Sequence, residues 1–307
     1  MKKIAVLLTL FVLFSCSTSK PIQKNLTKKS EPSKTTKPTT SITPKPTVAL
    51  ESIKASKLSN YTVSTKYYPS LSKNERVRFL VIHYTALDDK TSIRALTQKE
   101  VSAHYFIPEK NNDSIEVFVP EDQRAWHAGV SKWEKFENLN DTSIGIEIAN
   151  KGFSIVNDTL TYYEYPEHQI KKVGSLALDV VTRYQIKPNY ILAHSDIAPQ
   201  RKSDPGPKFP WKRLYDEYGI GAWYDEVDKN QFLEAMRSAT LVYDVIAIQK
   251  ELAKYGYEVE QNGISDDKLK KVIVAFQHHF RSQNYDGIMD AESFAILLAL
   301  NKKYKSQ

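Results

Sequence analysis

Apolar positions along the chain follow two alternating periods. Val77–His83 is a mostly apolar run with β-branched members, which predicts a buried strand. Thr91–His104 opens on a Thr/Ser cap and carries Ile93, Leu96 and Val101 at roughly helical spacing, predicting a helix. Ser114–Val119 alternates as a half-buried strand does, and Ile144–Ile148 reads as a third strand. Glu167–Tyr184 is the clearest helix, with Ile170, Val173, Ala177, Val180, Val181 and Tyr184 at three- and four-residue steps. Tyr190–Ala193 is a further strand that runs into a long polar loop. Strands alternating with helices predict the α/β class, a mixed β-sheet flanked by helices, over residues 61–235. That length is enough for one domain with a full core.

Beyond residue 240 only the helical period remains. Asp244–Tyr257 is amphipathic and ends at Gly256, which suits a helix C-terminus. Leu269–Phe280 carries Val272, Ala275, Phe276 and Phe280 on one stripe, and Asp286-Gly287 turns the chain into Ala291–Leu300. Residues 240–303 therefore read as a small three-helix domain. His278 and His279, being adjacent, cannot both face one side of their helix.

The N-terminal end has no such period. Residues 1–16 are a basic start, an apolar run from Ile4 to Phe14, and Ser15-Cys16, the pattern of a secretory signal. The run is short of the roughly 20 residues that span a bilayer. Leu13-Phe14-Ser15-Cys16 resembles a bacterial lipobox, in which the cysteine becomes the lipidated first residue of the mature chain, so lipidation is expected at Cys16 and membrane attachment through that lipid. An ordinary signal peptide with an incidental cysteine is the alternative. Ser17 in the next position favours the outer membrane, facing the periplasm, by resemblance to enterobacterial lipoproteins. Cys16 is the only cysteine, which excludes disulfides within the chain. Residues 17–60 read as a disordered tether: in 17–50, 25 of 34 are Ser, Thr, Pro or Lys, too few apolar groups to offset ordering entropy. It would reach on the order of 40 Å as a coil and beyond roughly 100 Å if extended.

Charge separates these parts. Nine lysines and two glutamates in 17–57, with Lys2 and Lys3, contribute +9; the whole chain is +7, which leaves the remainder at −2. A slightly acidic folded part lacks the clustered positive face that nucleic acid requires, so no nucleic-acid partner is expected.

Candidate chemistry sits where the strands end. His83 closes the first strand, Glu147 lies in the third, and His194, Lys202 and Asp204 lie at the end of the last strand and in its loop. His83, His194 and Asp204 would give zinc three ligands and leave a fourth position open, as a catalytic site needs. Taken singly, a strand-end histidine is more often a hydrogen-bonded structural residue, and Glu147 more often an edge carboxylate facing water. Asp196 reads as a brace or cap for its loop.

The combination goes further. "LVIHYT", "SAHYFI", "WHAG", "SIGIEIAN" and "HSDIAPQRKSDPG", in this order, resemble the zinc-dependent N-acetylmuramoyl-L-alanine amidases of the amidase 2 family, whose fold is shared with animal peptidoglycan recognition proteins. The resemblance covers roughly residues 75–215, with an insertion-like turn at Asn111–Ser114. It implies one Zn(2+) per chain on His83, His194 and Asp204, Glu147 as the catalytic carboxylate, and Lys202 as the basic residue two places before the last ligand. It also implies peptidoglycan or muropeptide fragments as substrate, in the cell envelope. Tyr84, His104, Trp126 and His127 are the substrate-groove candidates, with His104 and His127 placed at the groove wall or behind the ligands. Gln249, Leu252, Gly256-Tyr257, Gly263, Phe276-Gln277 and Asp286-Gly287-Ile288 resemble the three-helix peptidoglycan-binding domain of wall hydrolases, with a helical oligomerisation module as the alternative.

Two rival functions remain open. A non-catalytic peptidoglycan receptor on the same fold would have no need of three ligands and Glu147. A zinc peptidoglycan carboxypeptidase places an aspartate about seven residues after a histidine, whereas Asp204 follows His194 by ten.

Overall fold

The computed structural model describes residues 70–72 and 75–306. The expected signal peptide, Cys16 and the tether lie outside the described residues. From Leu71 onward the chain forms one unit built around a five-stranded sheet.

The sheet has the order β3-β2-β6-β1-β9. Its centre is β1 (Phe79–Tyr84) and β6 (Ser143–Ile148), paired in parallel and almost wholly buried, as their near-continuous apolar sequences require of strands covered on both faces. Parallel partners β2 (Tyr105–Ile107) and β9 (Ile191–Ala193) flank them, and β3 (Glu116–Val117) closes one edge antiparallel to β2, so the sheet is mixed as expected. Two small hairpins stand apart from it: β4 (Lys132–Trp133) with β5 (Phe136–Glu137), and β7 (Phe153–Val156) with β8 (Thr159–Tyr162).

Helix α1 spans Asp89–Leu96, shorter than the expected Thr91–His104. Asp88 caps it by accepting the Thr91 N–H at 2.8 Å. Past Thr97 the backbone turns to other partners, Ser102 N–H donating to Trp126 O and His104 N–H to Gly145 O, so the helical spacing of Val101 was coincidental. Helix α2 (Glu167–Tyr184) coincides with its sequence pattern and buries Ile170, Val173, Ala177 and Val180 against the sheet. Gly174 lets the Tyr218 ring of α4 (Trp211–Tyr218) approach α2 closely, since a Cβ there would come within 2.4 Å of that ring. The one-turn α3 (His194–Ile197) follows β9 directly.

The remaining helices are α5 (Glu226–Arg237), α6 (Val245–Tyr255), α7 (Asp267–Phe280) and α8 (Ala291–Lys305). Asp244, Asp266 and Asp290 cap the last three, each accepting an N–H three residues on, a contribution of about 1 kcal/mol apiece. Helix α5, which begins within 61–235 and ends two residues beyond it, packs on α8, with Lys302–Asp228 at 2.6 Å and Lys303–Asp225 at 2.7 Å. Helices α6–α8 and the sheet share one hydrophobic core: Trp133 of β4 meets Tyr255 and Tyr257 edge-on, at centroid distances of 5.8 and 4.9 Å. Gly256, at φ 144°, brings the helical part this close, because a Cβ there would lie 2.5 Å from the Trp133 ring. Among the described residues no helix is long and apolar enough to cross a membrane.

Candidate active site and metal centre

Register delivers the site. In the parallel β1–β6 pair His83 stands opposite Glu147, so both side chains leave the sheet on one face. On the other side Ile82 stands opposite Ala193, which puts His194 beside His83 at the carboxyl end of β9. Carboxyl ends of parallel strands are where open α/β sheets place ligands. The loop after α3 then returns Asp204 to the same point, and the Ser195 N–H donates to the Asp204 carbonyl at 3.0 Å to close it.

His83, His194 and Asp204 are all buried, and their facing atoms form a triangle. The two Nδ1 atoms are 2.9 Å apart, and Asp204 Oδ2 lies 3.2 Å from that of His83 and 3.0 Å from that of His194. Hydrogen bonding behind the rings fixes where their protons sit. Ser143 Oγ–H donates to the Leu139 carbonyl at 2.6 Å, so His127 Nε2–H must donate to Ser143 Oγ at 3.1 Å. Neutral His127 then has only its Nδ1 lone pair for His83, whose Nε2–H donates to it at 3.0 Å. His194 Nε2–H donates to the Ala128 carbonyl at 3.2 Å. Both ligand imidazoles therefore present bare Nδ1 lone pairs to each other and to a carboxylate. Three acceptors so close need a cation between them. Tetrahedral zinc with ligands at about 2.0–2.1 Å sets its donor atoms roughly 3.3 Å apart, close to the observed edges. The residues fit a metal.

Electrostatics agrees. Burial, reinforced by His194, lowers His83 to about 4, so it is a neutral ligand at ordinary pH. Burial and the neighbouring histidines likewise hold His127 well below its usual value. For Asp204, burial acts upward but is outweighed by His194 and His83, which keep the carboxyl ionised far below its normal range. Glu147 is opposite in character: burial, with the Asp204 charge second, pushes it up to about 8, while the Lys202 charge acts downward. Its Oε2 is enclosed and has no hydrogen-bond partner among the described residues. Lys202 is exposed at the rim, near enough for its charge to act on both Glu147 and His83.

The other candidates divide. Tyr84 is half-buried at the mouth, its hydroxyl 3.1 Å from Ser203 Oγ. Trp126 is half-exposed on the surface. His104 is wholly enclosed and cannot line a groove: its Nδ1 accepts the Gly145 N–H at 3.0 Å and its Nε2 faces the Gln123 carbonyl. His127 is also buried, standing behind His83. Sequence reasoning missed Ser143, Gly145 and Asn140, whose Oδ1 accepts the N–H groups of His127 and Ala128 at 3.0 and 2.7 Å. The glycine within an otherwise apolar strand was the available signal for Gly145, since strand glycines often mark close approach. A Cβ on Gly145 would lie 2.4 Å from the His127 ring. Gly145→Ala is expected to cost about 1–3 kcal/mol of stability and to weaken metal retention by displacing the ring behind His83, checked by urea unfolding and metal content.

A buried His-His-Asp triad at the strand ends, beside a carboxylate whose enclosed oxygen has no hydrogen-bond partner among the described residues, is the apparatus of a metal-binding hydrolase. Residues 73–207 match the sequence family N-acetylmuramoyl-L-alanine amidase, and residues 243–297 match a peptidoglycan-binding domain family. The chain is 44% identical over 234 residues to the N-acetylmuramoyl-L-alanine amidase AmiD of Escherichia coli, covering 75% of this chain and 84% of that one. The E. coli AmiD structure, solved in complex with anhydro-N-acetylmuramic acid-L-Ala-D-γ-Glu-L-Lys, superposes with a TM-score of 0.75 at 40% identity over 82% of this chain and 98% of that one. AmpDH3 of Pseudomonas aeruginosa superposes with a TM-score of 0.74 at 43% identity, over 80% of this chain and all of that one. The chain belongs to the amidase 2 family of N-acetylmuramoyl-L-alanine amidases.

Proposed function

We propose that this amidase uses one zinc ion per chain, held by His83, His194 and Asp204, to hydrolyse the bond between N-acetylmuramic acid and L-alanine in peptidoglycan and in anhydro-muropeptides. The observation that carries the reading is the pair of bare Nδ1 atoms facing the Asp204 carboxylate, one strand from Glu147. The substrate class is supported by the E. coli AmiD complex with its anhydro-muramyl peptide and by a second AmpDH3 structure, TM-score 0.74, in complex with anhydromuramic pentapeptide.

Zinc would supply Lewis acidity, polarising the scissile carbonyl and making water acidic enough to attack near neutral pH. Glu147 takes the proton from the attacking water and returns it to the departing L-alanine nitrogen, a transfer suited to a carboxylate poised near the working pH. Lys202, at the rim, faces the negative charge that develops on the carbonyl oxygen and stabilises it. His127 holds His83 in the tautomer that presents Nδ1. Tyr84 and Trp126 lie nearest the exterior, where the sugar and peptide would pass. Lipidation of Cys16, a tether over residues 17–60, and wall binding through residues 240–303 would hold the enzyme in the bacterial envelope, on the outer membrane facing the periplasm.

Mass spectrometry of a defined anhydro-muropeptide, incubated with the soluble chain with and without a chelator, tests the reading. Chelator-sensitive release of an L-Ala-headed peptide from intact amino sugar is expected. An intact substrate that binds would sink the catalytic assignment in favour of a receptor, and loss of a terminal residue alone would indicate a carboxypeptidase.

A further inference from the structure

The loop 194–204 carries two of the three ligands, and its outer side is held by the C-terminal helices. Asp196, two residues beyond His194, is fully buried. Its Oδ2 accepts the Ala193 N–H at 2.8 Å and faces His279 Nδ1 of α7 at 2.7 Å, while Oδ1 accepts the Tyr257 hydroxyl at 2.7 Å. Neither partner is free to move. The His279 ring is stacked on Trp211 at 3.9 Å and on Phe280 at 4.0 Å. Tyr257 is buried against Trp133, and the Gly256 carbonyl before it accepts the Glu134 N–H at 2.8 Å. Further along the loop, Gln200 Nε2 donates to the Lys268 carbonyl at 3.0 Å, and Lys271 Nζ donates to the Gln200 carbonyl at 3.3 Å. The helix α7 thus grips the loop at both ends of one face, and the segment following α6 reaches it through Tyr257.

A buried carboxylate with its donors removed is costly, and the backbone around it must shift to find new ones. Here that backbone runs directly from Ala193 to His194, so any shift of Asp196 moves a ligand. We infer that Tyr257 and His279 are positioning residues of the metal centre: through Asp196 they set His194, and the helical domain is a working part of the amidase site besides any wall binding. This rests on the proposed metal role of His83, His194 and Asp204.

The test uses the full soluble chain carrying Tyr257→Phe, which keeps the ring and removes only the hydroxyl donor, or His279→Phe, which keeps an aromatic ring in the stack but removes both imidazole nitrogens. Leu300→Val, deep in the α8 core, is the control for plain destabilisation. Cobalt affinity is read by competition with a chromophoric chelator, the visible spectrum of the cobalt protein reports ligand geometry, and thermal midpoints are recorded alongside. Metal affinity is expected to fall about tenfold in either Phe variant, the scale seen when residues behind a metal ligand are changed, with an altered cobalt spectrum and a midpoint no lower than that of Leu300→Val. Unchanged affinity and spectrum in both Phe variants would overturn the clamp, as would an equal affinity loss in Leu300→Val. A wild-type chain that binds no metal would instead overturn the metal reading beneath it.

Discussion

Asp204→Asn is expected to empty the metal centre. The substitution keeps the shape of the side chain but removes the charge that two bare imidazole nitrogens face at 3.0 and 3.2 Å. Residues behind a ligand account for about 10–100-fold in metal affinity, so loss of a ligand charge should cost more than roughly a hundredfold. Metal content of the purified variant should drop from one ion per chain to a small fraction, and amidase activity should fall with it. A second readout separates this from misfolding. Metal binds only the folded state, so a chelator should lower the thermal midpoint of the wild type and leave that of Asp204→Asn unmoved. A variant that retained its ion after dialysis would show that Asp204 is not a ligand.

Glu147→Gln should behave in the opposite way, keeping its metal and losing turnover. A positioned general base contributes about 10²–10⁴-fold, and the rate should fall by that amount while metal content stays at one per chain. If the variant kept a near-normal rate, the base would have to be sought elsewhere. The same residue predicts a pH signature in the metal-free protein. Glu147 is raised to about 8 by burial from an ordinary value of 4.5, so its contribution to stability is fully present below 4.5 and is lost as pH rises through 8. Removing the ionisation should therefore open a stability difference in favour of the variant that grows as pH rises from 4.5 towards 8. His83 runs the other way: lowered from 6.5 to about 4, it favours the folded state above 6.5 and withdraws that support as pH falls towards 4. That acid-side loss should be common to wild type and variant. With metal bound, the dication favours ionised Glu147, so the activity of the wild type should rise with pH along a limb that lies below 8.

Elements with long or pure patterns were legible in the order of residues alone. Helix α2 coincides with its eighteen-residue stripe, and β1 and β6 match their apolar runs to within two residues at each end, because burial of one face over several turns, or of both faces of a strand, leaves little freedom in residue choice. That order also named His83, His194 and Asp204, through strand-end position and family resemblance. The rest came from contacts between distant segments. The end of α1 at Leu96 depends on Trp126 and Gly145 drawing the following backbone into other hydrogen bonds. Strands of two residues, such as β4 and β5, carry too few positions for a period to show. The proton placement at the metal centre depends on Ser143, Leu139 and Ala128, which are remote in sequence from the rings they orient and are ordinary residues in isolation. Likewise Asp196 was legible as a brace, but its donors Tyr257 and His279 lie 61 and 83 residues away. Local pattern reports which side of an element is buried; only the assembled core decides against what.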